Sequence, residues 1–320
     1  MSTPTRRPAP INGHARPAVR MSRIMTVGII GAGRVGAVLG AALAGAGHRV
    51  VAASGVSAAS TSRIERLLPS ASLLPPDQVA VAVDLLLISV PDDALAGLVY
   101  GLVETGSIHR SPTQIVAHTS GAHGIDVLAP AVAAGAYPLA LHPAMTFTGH
   151  PHDLDRLAEG ISFGVTAPTE LRQVATRLVA DLGGVVEWIA EDARPLYHAA
   201  LAHGANHLVT LVNEAMDRLR DAGVVHPERV IAPLLRASLE NTLSHGDVAL
   251  TGPVARGDAG TIAKHLATLQ ATAPDSVPVY LALARRTADR AIASGALRPT
   301  DAEPLLGVLA AGDTPAEVPA

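Results

Sequence analysis

The sequence predicts an α/β fold in which a doubly wound, mostly parallel sheet is followed by a second, all-helical C-terminal domain. Between residues 23 and 190, apolar runs typical of strands alternate with helical segments, which is the pattern of repeated βαβ units. From about residue 191 onward the strand pattern stops and long helical segments follow. The first strand also runs directly into a G-x-G-x-x-G motif at residues 31–36. We therefore predict a dinucleotide-binding domain of the Rossmann type over residues 23–190 and a helical domain over residues 191–300.

Composition limits the classes of function. The chain has 320 residues, a net charge of −4 and no cysteine, and only 2% of its residues are aromatic. The charge gives no electrostatic reason to expect nucleic acid or an anionic membrane as partner, and no apolar run is long enough to span a bilayer. The absence of cysteine removes disulfides and thiolate catalysis. We expect a cytoplasmic protein. No H-E-x-x-H motif occurs among its 14 histidines, so we assign no metal.

Both ends of the chain lack the periodicity of regular structure. Residues 1–22 are rich in Pro, Arg and Thr, and we expect them to form a disordered extension. Residues 301–320 are expected to form one short helix followed by a disordered tail.

A G-x-G-x-x-G motif joins the first strand to the first helix in the stretch GIIGAGRVGAVLG. Gly31 would let the chain turn off the strand, Gly33 would bring bare backbone up to a diphosphate, and Gly36 would let the helix lie close to the sheet. With Arg34 and Val35, these glycines form the predicted cofactor-binding turn at the positive end of the helix dipole. The alternative is an ordinary turn in an α/β domain.

The second strand ends without the acidic residue that commonly binds the ribose hydroxyls of NAD. Glu65 is the first acid after it. Ser54, Ser60 and Arg63 occur there instead and would suit a 2′-phosphate, which favours NADP(H) as the cofactor. The alternative is that these serines form a turn and cap the next helix.

An uninterrupted apolar run from residue 85 to 88 predicts a central parallel strand, and Ser89, Val90 and Pro91 follow it. Ligands of open α/β sheets lie beyond the carboxyl ends of the strands. We therefore expect these three residues to border the cofactor.

Two segments are predicted to bind a substrate carboxylate. The strand ending at residue 118 runs into Thr119, Ser120 and Gly121, a turn of small residues whose hydroxyls and free N–H groups would form an anion nest. Arg256 lies in a glycine-rich loop between helices and would clamp a carboxylate with two hydrogen bonds. The alternative for Arg256 is a pair with Asp258 that ties the loop down.

Three residues are candidates for catalysis. His142 follows a short strand, and an imidazole suits proton transfer near neutral pH. His203 and Asn206 begin a polar stripe on one long helix predicted from about residue 193 to 221. The stripe has helical spacing and also includes Thr210, Asn213 and Asp217. The alternatives are a histidine that only bonds backbone, and a stripe that is the solvated face of a helix or a polar seam in a dimer.

The motifs LLISVPDDAL, HTSGAHG, LHPAMTF, YHAALAHGANHLVTL and LTGPVARGDAGTIAKHL, together with the glycine motif, resemble those of Rossmann-like oxidoreductases with a C-terminal helical domain of undefined function. That family is similar in design to pyrroline-5-carboxylate reductase, ketopantoate reductase and the 6-phosphogluconate dehydrogenase-like enzymes. The resemblance implies NADPH-dependent reduction of a small carboxylated carbonyl or imine, and a helical domain that binds substrate and dimerises. Hydroxyacid dehydrogenases of that group have a Lys on the long helix where this chain has His203 and Asn206. His142 with Pro143 also resembles the HP motif of prephenate and arogenate dehydrogenases, in which the His contacts the reacting hydroxyl.

The leading hypothesis is thus an NADP(H)-dependent oxidoreductase, a homodimer through its C-terminal helices, that acts on a small carboxylate-bearing carbonyl, imine or hydroxy compound. Three alternatives stay open. One is an NADP-binding sensor or scaffold without turnover, and another is the oxidation of a hydroxyl in the manner of prephenate dehydrogenase. The third is an S-adenosylmethionine transferase on the same scaffold.

Overall fold

A computed structural model describes residues 24–108 and 114–312 of the chain. The extension predicted for residues 1–22 lies outside the described residues. So do residues 313–320 of the predicted tail.

An eight-stranded sheet with the order β3-β2-β1-β4-β5-β6-β7-β8 forms the first part of the molecule, which confirms the predicted doubly wound fold. Neighbouring strands run parallel, except for the antiparallel pair β6 and β7. The short edge strand β3 is not apparent from the sequence pattern. The strands are β1 (Thr26–Ile30), β2 (Arg49–Ser54), β3 (Ser72–Leu73), β4 (Leu85–Ile88), β5 (Ile115–His118), β6 (Tyr137–Pro143), β7 (Ser162–Thr166) and β8 (Val185–Trp188).

The central strands are apolar on both faces because helices cover both faces of the sheet. Ile29 and Leu87 pack into one buried cluster, and Ile30 and Leu86 pack into another. The helices that pack with the sheet are α1 (Arg34–Gly45), α2 (Ala58–Leu67), α3 (Pro76–Val79), α4 (Asp92–Glu104), α5 (Ala129–Ala133), α6 (His152–Ala158), α7 (Arg172–Asp181) and α8 (Arg194–Leu201).

The chain divides into two compact units between Gly204 and Ala205, later than the boundary at residue 190 that the sequence pattern predicts. Helix α8 accounts for the difference. Its buried Arg194 donates hydrogen bonds to the carbonyl oxygens of Gly164 (3.0 Å) and Ala140 (3.4 Å). These contacts with β6 and β7 make α8 part of the sheet unit.

The second unit is helical, as predicted, and its core lies among three helices, α11, α12 and α13. Ile262, Leu281 and Leu305 are among the buried residues of that core. By contrast, α9 buries none of its residues and α10 buries only Pro227. The helices are α9 (His207–Asp221), α10 (Pro227–His245), α11 (Ala259–Thr272), α12 (Val277–Ala293) and α13 (Pro299–Ala311).

The single long helix predicted for residues 193–221 is interrupted by a π-helical segment, Ala202–Asn206, between α8 and α9. A π turn bonds residues five apart instead of four. The regular spacing that placed His203 and Asn206 on one stripe with Thr210 therefore does not continue through this segment. No helix in the described ranges has the length and apolar character needed to cross a bilayer.

Candidate functional site

The candidate site lies in the first unit, where the carboxyl ends of β1, β4, β5 and β6 meet along one edge of the sheet. The strand order reverses direction between β1 and β4, and open α/β sheets bind ligands at such a switch point. The glycine motif follows β1, Ser89 follows β4, and Thr119 follows β5. Residues far apart in sequence are thereby brought to one edge.

The three motif glycines differ in what requires them. Gly31 has a φ of +84°, and a Cβ there would clash with the carbonyl oxygen of Ser89. At Gly36 a Cβ would lie 2.5 Å from the carbonyl oxygen of Gly31. At Gly33 the nearest atom to a Cβ would be 3.9 Å away, so protein packing leaves room for a side chain. Packing thus explains Gly31 and Gly36, whereas Gly33 leaves open space above the helix terminus.

The amino terminus of α1 carries donors without acceptors. The amide of Ala32 donates to the carbonyl of Ser54 (2.8 Å), and that of Gly33 donates to Gly31 (2.7 Å). No side chain caps the helix and its first turn holds no acid. Within the described ranges, the amides of Arg34, Val35 and Gly36 have no hydrogen-bond partner. These amides face the helix terminus, where the dipole favours an anion.

At the end of β2, the two predicted serine ligands are engaged with the protein. The Ser54 hydroxyl accepts from the amide of Gly31 at 3.4 Å. The buried Ser60 hydroxyl donates to the carbonyl of Ser57 (2.7 Å) and accepts from its amide (2.9 Å), while the Ser57 hydroxyl accepts from the amide of Ser60 (3.1 Å). This reciprocal arrangement is a capping box for α2. Ser60 therefore has the capping role that was the alternative to phosphate binding.

Three arginines gather around Gly149, in the loop after β6. A Cβ at Gly149 would lie 2.7 Å from Nε of Arg63 and 3.2 Å from Cγ of Arg34, and Arg66 donates to its carbonyl oxygen at 2.9 Å. No carboxylate of the described residues forms an ion pair with these guanidiniums. The result is a positive cluster next to the glycine turn. Sequence reasoning missed Arg66, although it lies one helical turn after Arg63 on α2.

The ends of β4 and β5 are joined by a hydrogen bond from the Thr119 hydroxyl to the Ser89 hydroxyl at 3.1 Å. Val90 lies against the glycine turn, because its Cγ1 would be 3.0 Å from a Cβ at Gly31. Pro91 is the residue before α4. Ser89 and Val90 therefore lie next to the glycine turn, and their contact with a cofactor stays a prediction.

The turn after β5 is held by two side chains that sequence reasoning did not select. Nδ1 of the buried His118 accepts from the amide of Ser120 (3.2 Å), so its Nε2 carries the proton and donates to the carbonyl of Gly124 (2.7 Å). The Glu191 carboxylate accepts from the amides of Ile125 (2.7 Å) and Asp126 (3.0 Å). The only sequence signal for His118 is that it is polar at the end of a buried strand.

Ser120 itself serves this turn, because its amide bonds His118 and its hydroxyl oxygen accepts from the amide of His123 at 3.1 Å. The amides of Gly121 and Ala122 make no hydrogen bond within the described part of the chain. Any anion nest in this turn therefore depends on Gly121 and Ala122 more than on the amide of Ser120.

His142 lies beside this turn at the end of β6. Its Nδ1 is 2.9 Å from the hydroxyl of Tyr197, and its Nε2 would be 3.0 Å from a Cβ at Gly121. Burial, followed by the nearby His198 and Arg194, lowers the pKa of His142 to about 4. The imidazole is therefore neutral at pH 7. Sequence reasoning did not find Tyr197, whose contact with His142 spans 55 positions of the chain.

The structure thus brings together in one unit the glycine turn, Ser89, the turn from Thr119 to Gly121, and His142. His203 is exposed in the π-helical segment at the end of this unit, whereas Asn206 and Arg256 belong to the second unit. Their catalytic and binding roles remain predictions. In the described ranges, no group of three or more His, Asp or Glu side chains could hold a metal ion.

Two protein-family models match separate parts of the chain. Residues 9–143 match the Rossmann-like domain family, and residues 161–287 match a domain of unknown function, DUF2520. The chain carries a Rossmann-like domain and a DUF2520 domain. The DUF2520 match begins within the sheet unit, just before the antiparallel strand β7, and includes β7, β8 and α8.

Solved structures share the fold across most of the chain. A proposed NADP oxidoreductase from Bacteroides fragilis is 23% identical, with a TM-score of 0.70, over 83% of this chain and 98% of that one. Pyrroline-5-carboxylate reductase from Streptococcus pyogenes is 16% identical, with a TM-score of 0.57, over 84% and 99%. The Plasmodium falciparum pyrroline carboxylate reductase with NADP bound is 12% identical, with a TM-score of 0.54, over 88% and 98%. No curated protein matches the sequence.

The buried His118 of the Rossmann-like domain makes stability depend on pH. Burial lowers its pKa from 6.5 to about 4, so between these values the unfolded chain binds a proton that the folded protein does not. The contribution of the neutral His118 to the free energy of unfolding is fully present above pH 6.5 and is lost as the pH falls toward 4. By pH 5 the free energy of unfolding has fallen by about 2 kcal/mol for this reason. Urea unfolding at pH 7 and pH 5 measures this fall in the free energy of unfolding. The fall should be smaller by about 2 kcal/mol in His118→Gln than in the unmodified protein. An imidazole that titrates near pH 6.5 in NMR spectra would contradict this.

Proposed function

We propose that the protein is a nicotinamide-dinucleotide-dependent oxidoreductase that acts on a small, carboxylate-bearing carbonyl, imine or hydroxy compound. One observation carries the proposal. Open space lies over Gly33 directly at the unpaired amides of Arg34, Val35 and Gly36. A glycine that protein packing does not require, next to free donors at a helix terminus, fits the close approach of a diphosphate.

The residues present fit a dinucleotide along the sheet edge. The amides at the start of α1 would bind the diphosphate, and Ser89, Val90 and Pro91 would border the rest of the cofactor. A bound nicotinamide supplies the hydride chemistry, whereas the protein supplies orientation and hydrogen bonds. Structural neighbours described as an NADP oxidoreductase and as pyrroline carboxylate reductases support this reading of the fold.

The substrate would lie next to the turn after β5. The unpaired amides of Gly121 and Ala122 would bind its carboxylate, with the Thr119 and Ser120 hydroxyls alongside. Nε2 of His142 adjoins Gly121 and would reach the reacting oxygen or nitrogen. His203, Asn206 and Arg256 are further candidates, for proton transfer, for orienting the reacting group and for binding the carboxylate, respectively.

Label transfer tests the reaction. Protein mixed with NADPH that carries deuterium at C4 and a set of 2-oxo acids and cyclic imines should move deuterium into a product, detected by mass spectrometry. Reverse reactions with hydroxy acids and NADP cover the oxidation of a hydroxyl. His142→Ala should lower the rate about 100-fold or more, since it removes the group at the reacting atom. His152→Ala, which changes an exposed histidine on α6, is the matched control.

Two results would contradict these assignments. Tight cofactor binding without any label transfer would leave a sensor or scaffold. A full rate in His142→Ala would remove His142 from the site.

We further propose NADP(H) as the preferred cofactor. Nε of Arg63, Nη2 of Arg66 and the aliphatic part of Arg34 lie next to Gly149. In the described ranges none of these three arginines has a carboxylate partner, and no acid ends β2. A 2′-phosphate would supply the negative charge that this cluster lacks, and arginine binds phosphate through paired hydrogen bonds.

The affinity ratio tests this preference. NADPH should bind roughly tenfold or more tightly than NADH, and the double variant Arg34→Ser, Arg63→Ser should lose most of that difference while its affinity for NADH stays the same. Arg49→Ser, at the opposite end of β2, is the control. Calorimetric titration measures both constants. Equal affinities in the unmodified protein would refute the preference.

We also propose that the protein forms a homodimer through α9 and α10. Val230 and Leu234 of α10 are exposed and four residues apart, so they share one face of the helix, whereas the exposed Leu239 and Leu243 form a second pair on the opposite face. A groove of about 730 Å³ in the same unit is lined mainly by apolar side chains, among them Leu211 of α9, Ile231 of α10 and Leu283 of α12. Monomeric proteins rarely expose a continuous apolar surface of this kind.

Charge placed on the face of Val230 and Leu234 should separate the subunits. Val230→Glu with Leu234→Glu would bury four carboxylates in each dimer, and the dissociation constant should rise roughly 100-fold or more. Light scattering after size-exclusion chromatography measures the mass at several concentrations. Val81→Glu, which alters an exposed apolar residue of the first unit, is the control. A monomeric mass for the unmodified protein would disprove the dimer.

A further inference from the structure

Tyr197 of α8 packs over Gly164 of β7 and contacts His142 on the neighbouring strand β6. Register pairs His142 of β6 with Gly164 of β7, and directly opposite residues of an antiparallel pair lie on the same face. A Cβ at Gly164 would lie 2.5 Å from the Tyr197 hydroxyl and 2.6 Å from its Cζ. The phenol thus occupies the space that a side chain at position 164 would fill, beside His142.

From this geometry we infer that Tyr197 is a positioning residue for His142: its hydroxyl donates to Nδ1 and holds the imidazole in the tautomer whose proton is on Nε2. The inference rests on the proposed function only for its consequence in catalysis. As a statement about hydrogen bonding it concerns the resting protein.

The direction of the hydrogen bond follows from the partners of the phenol. Its oxygen is 2.9 Å from Nδ1 of His142. Burial raises the pKa of Tyr197, so the phenol keeps its proton at neutral pH. His142 Nδ1 is the acceptor in reach of that single proton among the described residues. Because a neutral imidazole carries one proton, that proton then lies on Nε2.

The charges around His142 keep the imidazole neutral. Tyr197, His198 and Arg194 face it from α8, and Asp92 faces it from the start of α4. Burial, His198 and Arg194 disfavour the imidazolium, and they outweigh the opposing effect of Asp92. His142 would therefore act as a neutral hydrogen-bond donor through Nε2, beside Gly121, that polarises a carbonyl or imine. It would not act as a charged acid.

Nuclear magnetic resonance of protein with ¹⁵N-labelled histidine tests the tautomer without any substrate. The nitrogen shifts of His142, assigned by their loss in His142→Ala, should show one fixed tautomer with the proton on Nε2 between pH 6 and 9. Tyr197→Phe removes only the hydroxyl and should give a mixture of tautomers. Tyr100→Phe changes an exposed tyrosine on α4 and should leave the shifts unchanged.

A second variant moves the phenol and keeps both side chains. The added methyl group of Gly164→Ala would push the Tyr197 ring away from its position over residue 164, so the tautomer of His142 should change as in Tyr197→Phe. In both variants kcat for the proposed reaction should fall roughly tenfold or more with little change in KM, because only the hydrogen bond at the reacting atom is affected.

The outcomes separate this inference from the proposed function. A proton on Nδ1 in the unmodified protein, or a tautomer unaltered by Tyr197→Phe, overturns the inference whatever the activity. Absence of label transfer from NADPH overturns the proposed function and leaves the tautomer result in place.

Discussion

The buried guanidinium of Arg194 is the interaction on which the geometry of the candidate site depends. Its Nε donates to the hydroxyl of Thr166 at 2.8 Å, and Nη2 donates to carbonyl oxygens of β6 and β7. Its Nη1 has no hydrogen-bond partner among the described residues. An unpaired buried donor and a desolvated cation are costly, and the charge is held here by carbonyl and hydroxyl dipoles, since no carboxylate in the described part of the chain pairs with it. These bonds tie α8 to the sheet and so fix Tyr197, one turn later, beside His142.

Burial suppresses titration along this edge of the sheet. The pKa values of His118 and His142 are both lowered to about 4, chiefly by desolvation, and that of Tyr197 is raised. At neutral pH these side chains therefore present fixed dipoles. The same holds for the amides at the start of α1 and in the turn after β5. A site of this kind stabilises developing charge by donors that are already oriented, and it needs no reorganisation when charge develops.

Sequence patterns predicted what depends on neighbouring residues. The glycine motif and the apolar strands follow from local periodicity and turn chemistry, and the doubly wound fold follows from their order. The roles of Tyr197 and Glu191 could not be predicted, because their contacts with His142 and Ile125 span 55 and 66 positions and depend on strand register. Ser60 shows the opposite case. The sequence analysis favoured a phosphate ligand there and gave a helix cap as the alternative, and in the structure Ser60 belongs to the capping box of α2.

The exposed helices of the second unit raise a question of stability as well as of assembly. Helix α10 is 19 residues long and contains Pro233, yet only Pro227 is buried. Isolated helices gain little from propensity alone, and most of the stability of a helix in a protein comes from packing an apolar face. The buried core of the unit lies among α11, α12 and α13, and α10 contributes no residue to it. A partner surface on Val230 and Leu234 would supply the packing that α10 lacks within its own unit. The dimer proposal is therefore also an explanation of why this helix is stable.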